Sequence, residues 1–486
     1  MPNIYKADWK PDPRLPLPIY RQIEQYVQAR IRSGEWSIGM KLPPQRTLAE
    51  AFGVNRSTVV TAMEALMAEG WIEGRGRGGT RVIGIPEEQR ARRPMNLPDW
   101  NAYVEEGAHY PNLPMIQRIN RLEFDPDIIR LGTGELSPEL LPQEQIREMF
   151  ASLAERPVSL GYEHPQGDEE LRQLLSRELA RQGIQASPSA ILIVSGALQA
   201  LQLISAGLLG RQSAILLEKP SYLYSIHAFQ SAGMKLIGLP VDEEGLRLSE
   251  LERCWRTYRA SMLYTIPTFH NPTGTVMSDL RRQQLLTLCE TIGLPVLEDG
   301  AYQELWLDRE PPAPLKSRDE HGIVLHVGTM SKSVSPGLRI GWVAGPEPVI
   351  ERLADIKMQT DYGSSSLSQQ AAKMWFASGM HLPHLNEIRQ RLRERRDAML
   401  EMLDVYWPDI ADWSKPEGGF YVWVSLRSPV PVQRLFNQAL KHGILLNPGV
   451  LYDRSAVRQL RLSYAYASVP ELEHALKLLP QLIRGR

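Results

Sequence analysis

GIVLHVGTMSKSVSPGLRIGW (322–342) sets an apolar run of strand length against a turn carrying Ser331, Lys332 and Arg339. Lys332 therefore falls on a loop at a strand's carboxyl end, where ligands gather in open α/β sheets. Working outward, comparable runs recur as AILIV (190–194), AILLE (214–218), MLYTI (262–266) and LPVLE (294–298), separated by stretches of helical texture. Short apolar runs spaced by helices predict a parallel sheet covered on both faces. From about residue 371 the texture changes to a long charged helix, LNEIRQRLRERRDAMLEML (385–403), and then to strand-like GGFYVWV (418–424). That change predicts a second, smaller α+β unit.

The amino end reads differently. Ile19, Ile23, Tyr26 and Ile31 recur at helical spacing. Pro43-Pro44 opens a short helix through Phe52, which Gly53 breaks, and Asn55 or Ser57 caps the next. Val59, Met63 and Leu66 mark the buried face of that helix up to Gly70, and WIEGRGRGGTRVIG (71–84) follows as a two-stranded ribbon with a Gly/Arg tip. A short helix, a glycine turn and a second helix beginning VNRSTV form a helix-turn-helix with a wing. Asn55, Arg56, Ser57 and Thr58 are expected near the major groove, where arginine forks onto guanine or phosphate and hydroxyls reach phosphates or bases. Arg46 is expected by the backbone, and Arg75, Arg77, Gly79 and Thr80 at the minor groove. The bland alternative is a small helical bundle with solvated arginines.

Between these regions, residues 86–112 mix proline, charge and scattered aromatics without a period, and read as a linker. The expected domains are thus 1–85 for DNA binding, 86–112 for the linker, 113–370 for the large ligand-binding domain and 371–486 for the small subdomain. The 486 residues carry a net charge of −1, which divides into +4 over residues 1–85 and −5 over the remainder. A mildly basic head suits a phosphate-rich partner. Two cysteines, Cys254 and Cys289, exclude a disulfide framework and a Cys-rich zinc module, so no metal centre is expected. With no apolar run of membrane length, a cytoplasmic protein is expected.

The body supplies each group that an aldehyde cofactor with a phosphate and a pyridine ring requires. Lys332 can hold the aldehyde as an imine. Asp299, ending LPVLED, can keep the pyridine nitrogen protonated. The Ser195-Gly196-Ala197 turn opens a helix whose free N–H groups favour a dianion, with Ser331 and Arg339 as further phosphate contacts. Tyr222 can stack on the ring, while Asn271 and Tyr302 can donate to its hydroxyl. Taken singly, each has a bland reading: surface charge for Lys332 or Asp299, core packing for Tyr222, an ordinary turn for NPTG. Their order along the chain is what carries weight.

Two resemblances follow from these residues. Residues 19–82, with the frame LPPQR.LA..FGV.RSTV, resemble the DNA-binding domain of the GntR family. The resemblance implies DNA contacts from Arg46, Arg56, Ser57, Thr58 and Gly79. Residues from roughly 125 to 480 resemble the class I/II aminotransferases of fold type I, through Ser195-Gly196-Ala197, Tyr222, Asn271, Asp299, Tyr302, Ser331-Lys332 and Arg339. That resemblance implies pyridoxal 5'-phosphate and a mixed, mostly parallel sheet. It also implies that the N-terminal segment of 113–370 contributes to the small subdomain, that Tyr162 reaches a partner subunit's cofactor phosphate, and that Arg461, with Asn271, clamps a ligand carboxylate.

The fusion is similar to the MocR subfamily of bacterial transcription regulators. It implies a homodimer, with a head-to-tail arrangement in the family. In such a regulator an amino acid or amine displaces Lys332, forms an external aldimine and alters DNA binding. The alternative is an active aminotransferase, of 2-aminoadipate or aromatic type, with an accessory DNA-binding module. A third reading is DNA binding without a cofactor. The effector, the operator and the direction of regulation are not legible in the residues.

Overall fold

The computed structural model describes residues 9–74, 79–86, 98–107, 109, 111–155 and 161–485. The chain divides into two compact units, 1–107 and 108–486.

In the first unit three helices, Ile19–Arg32, Gln45–Phe52 and Arg56–Ala68, precede an antiparallel ribbon of Ile72–Gly74 and Thr80–Val82. The second helix starts after Pro44 and stops at Gly53, whose φ of 68° lets its N–H bond back to Ala49 O and Glu50 O. Ile23, Val27, Phe52, Val59, Met63, Leu66 and Trp71 form its core. Each large apolar side chain buried there stabilises the unit by roughly 1.5–3 kcal/mol. Trp9 extends this core by stacking on Tyr26, with ring centroids 4.4 Å apart. The wing tip, residues 75–78 with Arg75 and Arg77, lies outside the described residues.

Part of the expected linker is helical, over Trp100–Glu106. Trp100 and Tyr103 stand one helical turn apart with ring centroids 5.6 Å apart, an i,i+3 pair too short to register as a period. Trp100, Tyr103 and Val104 are all exposed.

The second unit is built on an eight-stranded sheet. Its spatial order is Ile191–Val194, Gly341–Ala344, Val324–Thr329, Val296–Asp299, Ala260–Thr265, Ala214–Lys219, Lys235–Asp242 and Gly245–Leu246. Gly341–Ala344 is antiparallel to both neighbours, so Ile191–Val194 runs with the parallel strands beyond it. The carboxyl ends of six strands, Lys235–Asp242 included, therefore share one edge.

The sheet is accordingly mixed, with three strands the apolar runs did not announce, the two-residue Gly245–Leu246 among them. Lys235–Asp242 is half-exposed and contains Gly238 and Pro240. Gly341–Ala344 is short and starts at a glycine squeezed between neighbours. A Cβ on Gly341 would lie 2.9 Å from Gly328 O and 3.0 Å from Gly196 Cα.

A smaller antiparallel sheet orders Ala411–Trp413, Tyr421–Leu426, Gln459–Ser463 and Asn447–Pro448. The helices His381–Tyr406 and Val469–Ile483 pack together beside it, and Trp407 at the end of the first donates its indole N–H to Leu476 O of the second. Ile129–Arg130 pairs in parallel with Ile444–Leu445, so an early segment is built into late structure. One apolar core runs from the large sheet through this smaller one. Among the described residues no helix is long and apolar enough to cross a membrane.

Candidate functional site

Five of the aligned strand ends open into a cavity of about 430 Å³. Lys332 stands three residues past Val324–Thr329, Asp299 ends Val296–Asp299, and Asn271 follows Ala260–Thr265. Tyr222 begins a single 3₁₀ turn after Ala214–Lys219, and Ala197 begins the helix Ala197–Gly207 after Ile191–Val194. These five side chains line the cavity together with Tyr302, Ser331, Arg339 and Arg461.

Lys332 Nζ donates to Gly134 O at 2.7 Å and lies 6.0 Å from the centre of the Tyr302 ring. Asp299 is buried and accepts from Tyr264 OH at 2.8 Å and from Ala301 N at 3.1 Å. Burial lifts its pKa above the ordinary carboxylate value, while those two hydrogen bonds pull the other way. A cation facing this carboxylate would restore its charge.

The phosphate end has a matching geometry. Gly196 caps the helix Ala197–Gly207 at φ 86°, and a Cβ there would lie 2.7 Å from Arg339 Nη2. Arg339 donates to Ser195 O at 2.7 Å, which sets its guanidinium across the helix N-terminus. Ser331 is held by Thr329, whose Oγ1 donates to Ser331 Oγ at 3.0 Å and accepts from Ser331 N at 3.1 Å. Ser195 and Gly196 support this corner from behind: Ser195 N donates to Gln199 Oε1 at 2.7 Å.

Arg461 sits on Gln459–Ser463, opposite both Trp423 and Asn447. Its Nη1 donates to Asn271 Oδ1 at 2.7 Å and its Nη2 to Gly132 O at 2.5 Å. The guanidinium lies between the Tyr421 and Tyr452 rings, 4.1 and 4.7 Å from their centres. It is 5% exposed, and its Nε is buried without a hydrogen-bond partner. Asn271 Nδ2 donates to Tyr302 OH at 3.5 Å, and Tyr302 OH pairs with Tyr421 OH at 3.0 Å.

Tyr162 stands apart from this cavity. It is 82% exposed, with its ring 4.8 Å from that of Tyr362. Sequence reading missed Tyr264, Tyr421, Tyr452, Gly134 and Glu123. Tyr264 and Tyr421 lie in apolar runs where a tyrosine passes for core, and only the register of neighbouring strands turns their hydroxyls to use.

Among the described residues one further cluster, Glu178, Glu304 and His381, has metal-ligand types close together. Trp375 Nε1 donates to His381 Nδ1 at 3.1 Å, so Nε2 keeps the ring proton and gives it to Glu304 Oε1 at 3.0 Å. Glu178 is paired with Arg181 at 2.8 Å, so all three residues of the cluster already have partners.

In the first unit Arg56 and Ser57 open the helix Arg56–Ala68, and Asn55 caps it without a side-chain bond. Asn55, Arg56 and Ser57 are exposed and Thr58 half-buried. The helix N-terminus and the exposed Arg56 thus lie together, an arrangement of the kind that attracts phosphate oxygens. Arg46 is exposed one turn before Glu50, to which its Nε donates at 3.3 Å. Gly79 has φ 83°, and a Cβ there would lie 2.7 Å from Lys41 Cε. Thr80 O accepts from Leu42 N at 2.8 Å. Lys41, which the sequence reading did not single out, therefore stands beside the wing.

Comparison with known proteins agrees with both halves. Residues 126–479 match the family model "Aminotransferase class I and II", and residues 19–82 match "Bacterial regulatory proteins, gntR family". The chain is 52% identical to the uncharacterized HTH-type transcriptional regulator YisV of Bacillus subtilis, over 98% of each chain. It is 33% identical to the HTH-type transcriptional regulator NorG of Staphylococcus aureus, over 90% of this chain and 98% of that one. Among solved structures it is similar to the kynurenine aminotransferase of Pyrococcus horikoshii, with 31% identity and a TM-score of 0.75 over 80% of this chain and 98% of that one. The family implies pyridoxal phosphate as cofactor. The residues present fit it: a glycine that leaves room for Arg339 at a helix N-terminus, a buried carboxylate at a strand end, and a lysine in the cavity between them.

Proposed function

Since the chain belongs to the gntR family of bacterial regulators and to the class I and II aminotransferases, joined as in MocR-type regulators, we propose that its body senses an amino acid or amine on behalf of the DNA-binding head. When bound, pyridoxal phosphate supplies an aldehyde that amines condense with reversibly. Lys332 would hold that aldehyde in the resting protein, and a ligand's amino group would compete with it for the same carbon. Asp299 keeps the ring nitrogen protonated. Arg339, Ser331 and the N-terminus of Ala197–Gly207 hold the phosphate, while Tyr222, Asn271 and Tyr302 orient the ring. Arg461 clamps the ligand carboxylate with Asn271 beside it.

The observation that carries this reading is the full-length match, 52% identical across 98% of both chains, to a protein named as a transcriptional regulator. In the homodimer that the reading includes, the exposed Tyr162 would reach the second copy's cofactor phosphate. The ligand biases DNA binding only by as much as it prefers one arrangement of the protein over the other. The setting we propose is the cytoplasm.

Operator binding measured with and without an amino-acid panel tests the proposal: affinity that no amine changes would overturn the sensor. The second reading, a working aminotransferase, is favoured by the intact set of Lys332, Asp299 and Arg461. Incubation of the cofactor-loaded protein with the same panel and 2-oxoglutarate decides between them. Rapid, sustained keto-acid production would establish turnover.

A further inference from the structure

The wall of the cavity opposite the sheet is made by the helix Pro114–Leu122 and the segment after Ile129–Arg130. Ile116, Ile119, Asn120 and Glu123 line it from the first, and Thr133, Gly134 and Glu135 from the second. The segment Gly132–Glu135 meets the site at successive residues. Gly132 O accepts from Arg461, Thr133 Oγ1 donates to Glu123 Oε1 at 2.9 Å, and Gly134 O accepts from Lys332. Glu135 follows, lining the cavity, with no hydrogen bond or ion pair among the described residues.

The charges of this cavity are therefore unevenly assigned. Its described cations are Lys332, Arg339 and Arg461. In the proposed function they answer the aldehyde, the phosphate and the ligand's α-carboxylate, which leaves none for a second ligand carboxylate. Its described carboxylates are Asp299, which answers the ring nitrogen, and Glu123 and Glu135, which nothing in that scheme uses. Glu123 lies near Arg461 and near Arg130, whose guanidinium stacks 4.5 Å over Tyr466 outside the cavity lining. Burial raises the Glu123 pKa, the Thr133 hydrogen bond offsets part of that, and Glu135 adds to the rise. A cation placed between Glu123 and this second carboxylate would offset that rise.

Resting on the proposed function, we infer that the ligand is an amino acid carrying a second, cationic group, held by Glu123 and Glu135, and that dicarboxylic amino acids are disfavoured. Ile116 and Ile119 supply the apolar surface along which the methylene stem of such a side chain lies. The unpartnered Arg461 Nε marks the other end of the same ligand, where the α-carboxylate arrives.

The test titrates the cofactor-loaded protein with L-ornithine, L-lysine, L-norleucine and L-2-aminoadipate, following heat by calorimetry and visible absorbance in parallel. L-ornithine or L-lysine is expected to bind at least about tenfold more tightly than L-norleucine, with L-2-aminoadipate weakest, as charge-assisted hydrogen bonds require. In Glu135→Gln and Glu123→Gln the ratio of norleucine to ornithine dissociation constants is expected to fall toward one. Equal binding of norleucine, or tighter binding of 2-aminoadipate, overturns the inference, as does a preference that survives in both variants. The two readouts separate the claims. A calorimetric preference without an absorbance change keeps the cation site and removes the exchange at Lys332. An absorbance change without preference does the reverse, and no binding by any of the four overturns both.

Discussion

Arg461 Nη1 donates to Asn271 Oδ1 at 2.7 Å, joining residues 190 positions apart. Asn271 comes from the large sheet's edge and Arg461 from the small sheet, so this bond locks the ligand end of the cavity across the two sheets. Replacing Arg461 by Gln should weaken amino acids roughly tenfold to a hundredfold, the worth of a charge-assisted bond. The matching decarboxylated amines should lose little. Paired titrations of an amino acid and its amine check this, and equal losses would contradict the clamp.

Lys332→Ala should abolish the visible absorbance of lysine-bound cofactor while leaving Asp299, Arg339 and the helix N-terminus to hold it reversibly. Absorbance spectra before and after dialysis decide the point. A spectrum unchanged by the substitution would mean that another amine holds the aldehyde.

Tyr264 donates to Asp299 from the next strand, at 2.8 Å. Tyr264→Phe removes a bond that favours the carboxylate, so Asp299 should hold the protonated ring nitrogen less well. Cofactor affinity should fall about threefold to tenfold, in line with 0.5–1.5 kcal/mol for one hydrogen bond. The pH at which the bound cofactor's absorbance changes should move as well, which a purely structural loss would not produce. Fluorescence titration with free cofactor and a pH series measure the two effects.

Glu218 is buried beneath the site, accepting from Thr265 Oγ1 and Ile266 N, with its Oε2 3.5 Å from the unpartnered His270 Nε2. Burial pushes its pKa up to about 7, from an ordinary value near 4.5, so the native state keeps a proton that the unfolded chain gives up. Its contribution is therefore full below pH 4.5 and lost as pH rises through 7, a swing on the order of 3 kcal/mol. Glu218→Gln keeps an amide oxygen to accept from Ile266 N and turns its N–H toward Thr265 Oγ1, and with no titrating proton it should flatten this part of the profile. Urea midpoints of both proteins from pH 5 to 8 would show it, and parallel profiles would refute it.

Arg56→Ala should weaken specific DNA binding by roughly 1–3 kcal/mol if the side chain reads a base. Binding curves at several salt concentrations separate the cases, because a phosphate contact instead lowers the salt slope and leaves sequence preference intact. An unchanged affinity and preference would remove Arg56 from the interface.

The sequence by itself determined the two-part architecture, because strand-length apolar runs and capped helices are local facts. It also determined the groups that stand at strand ends, since a polar residue just past a buried run has one place to go. Lys332, Asp299, Asn271 and Tyr222 were legible for that reason, and Ala197 as the start of the helix that follows a strand. The helix Trp100–Glu106 was not, since seven residues hold too few turns to show a period. What only the tertiary structure decided is which carbonyls and hydroxyls meet those groups. Tyr264 on Asp299, Gly134 on Lys332 and Glu123 beside Glu135 each depend on strand register or on a loop crossing the cavity. Such pairings are set by the packing of segments far apart in the chain, where the spacing of residues along it carries no information.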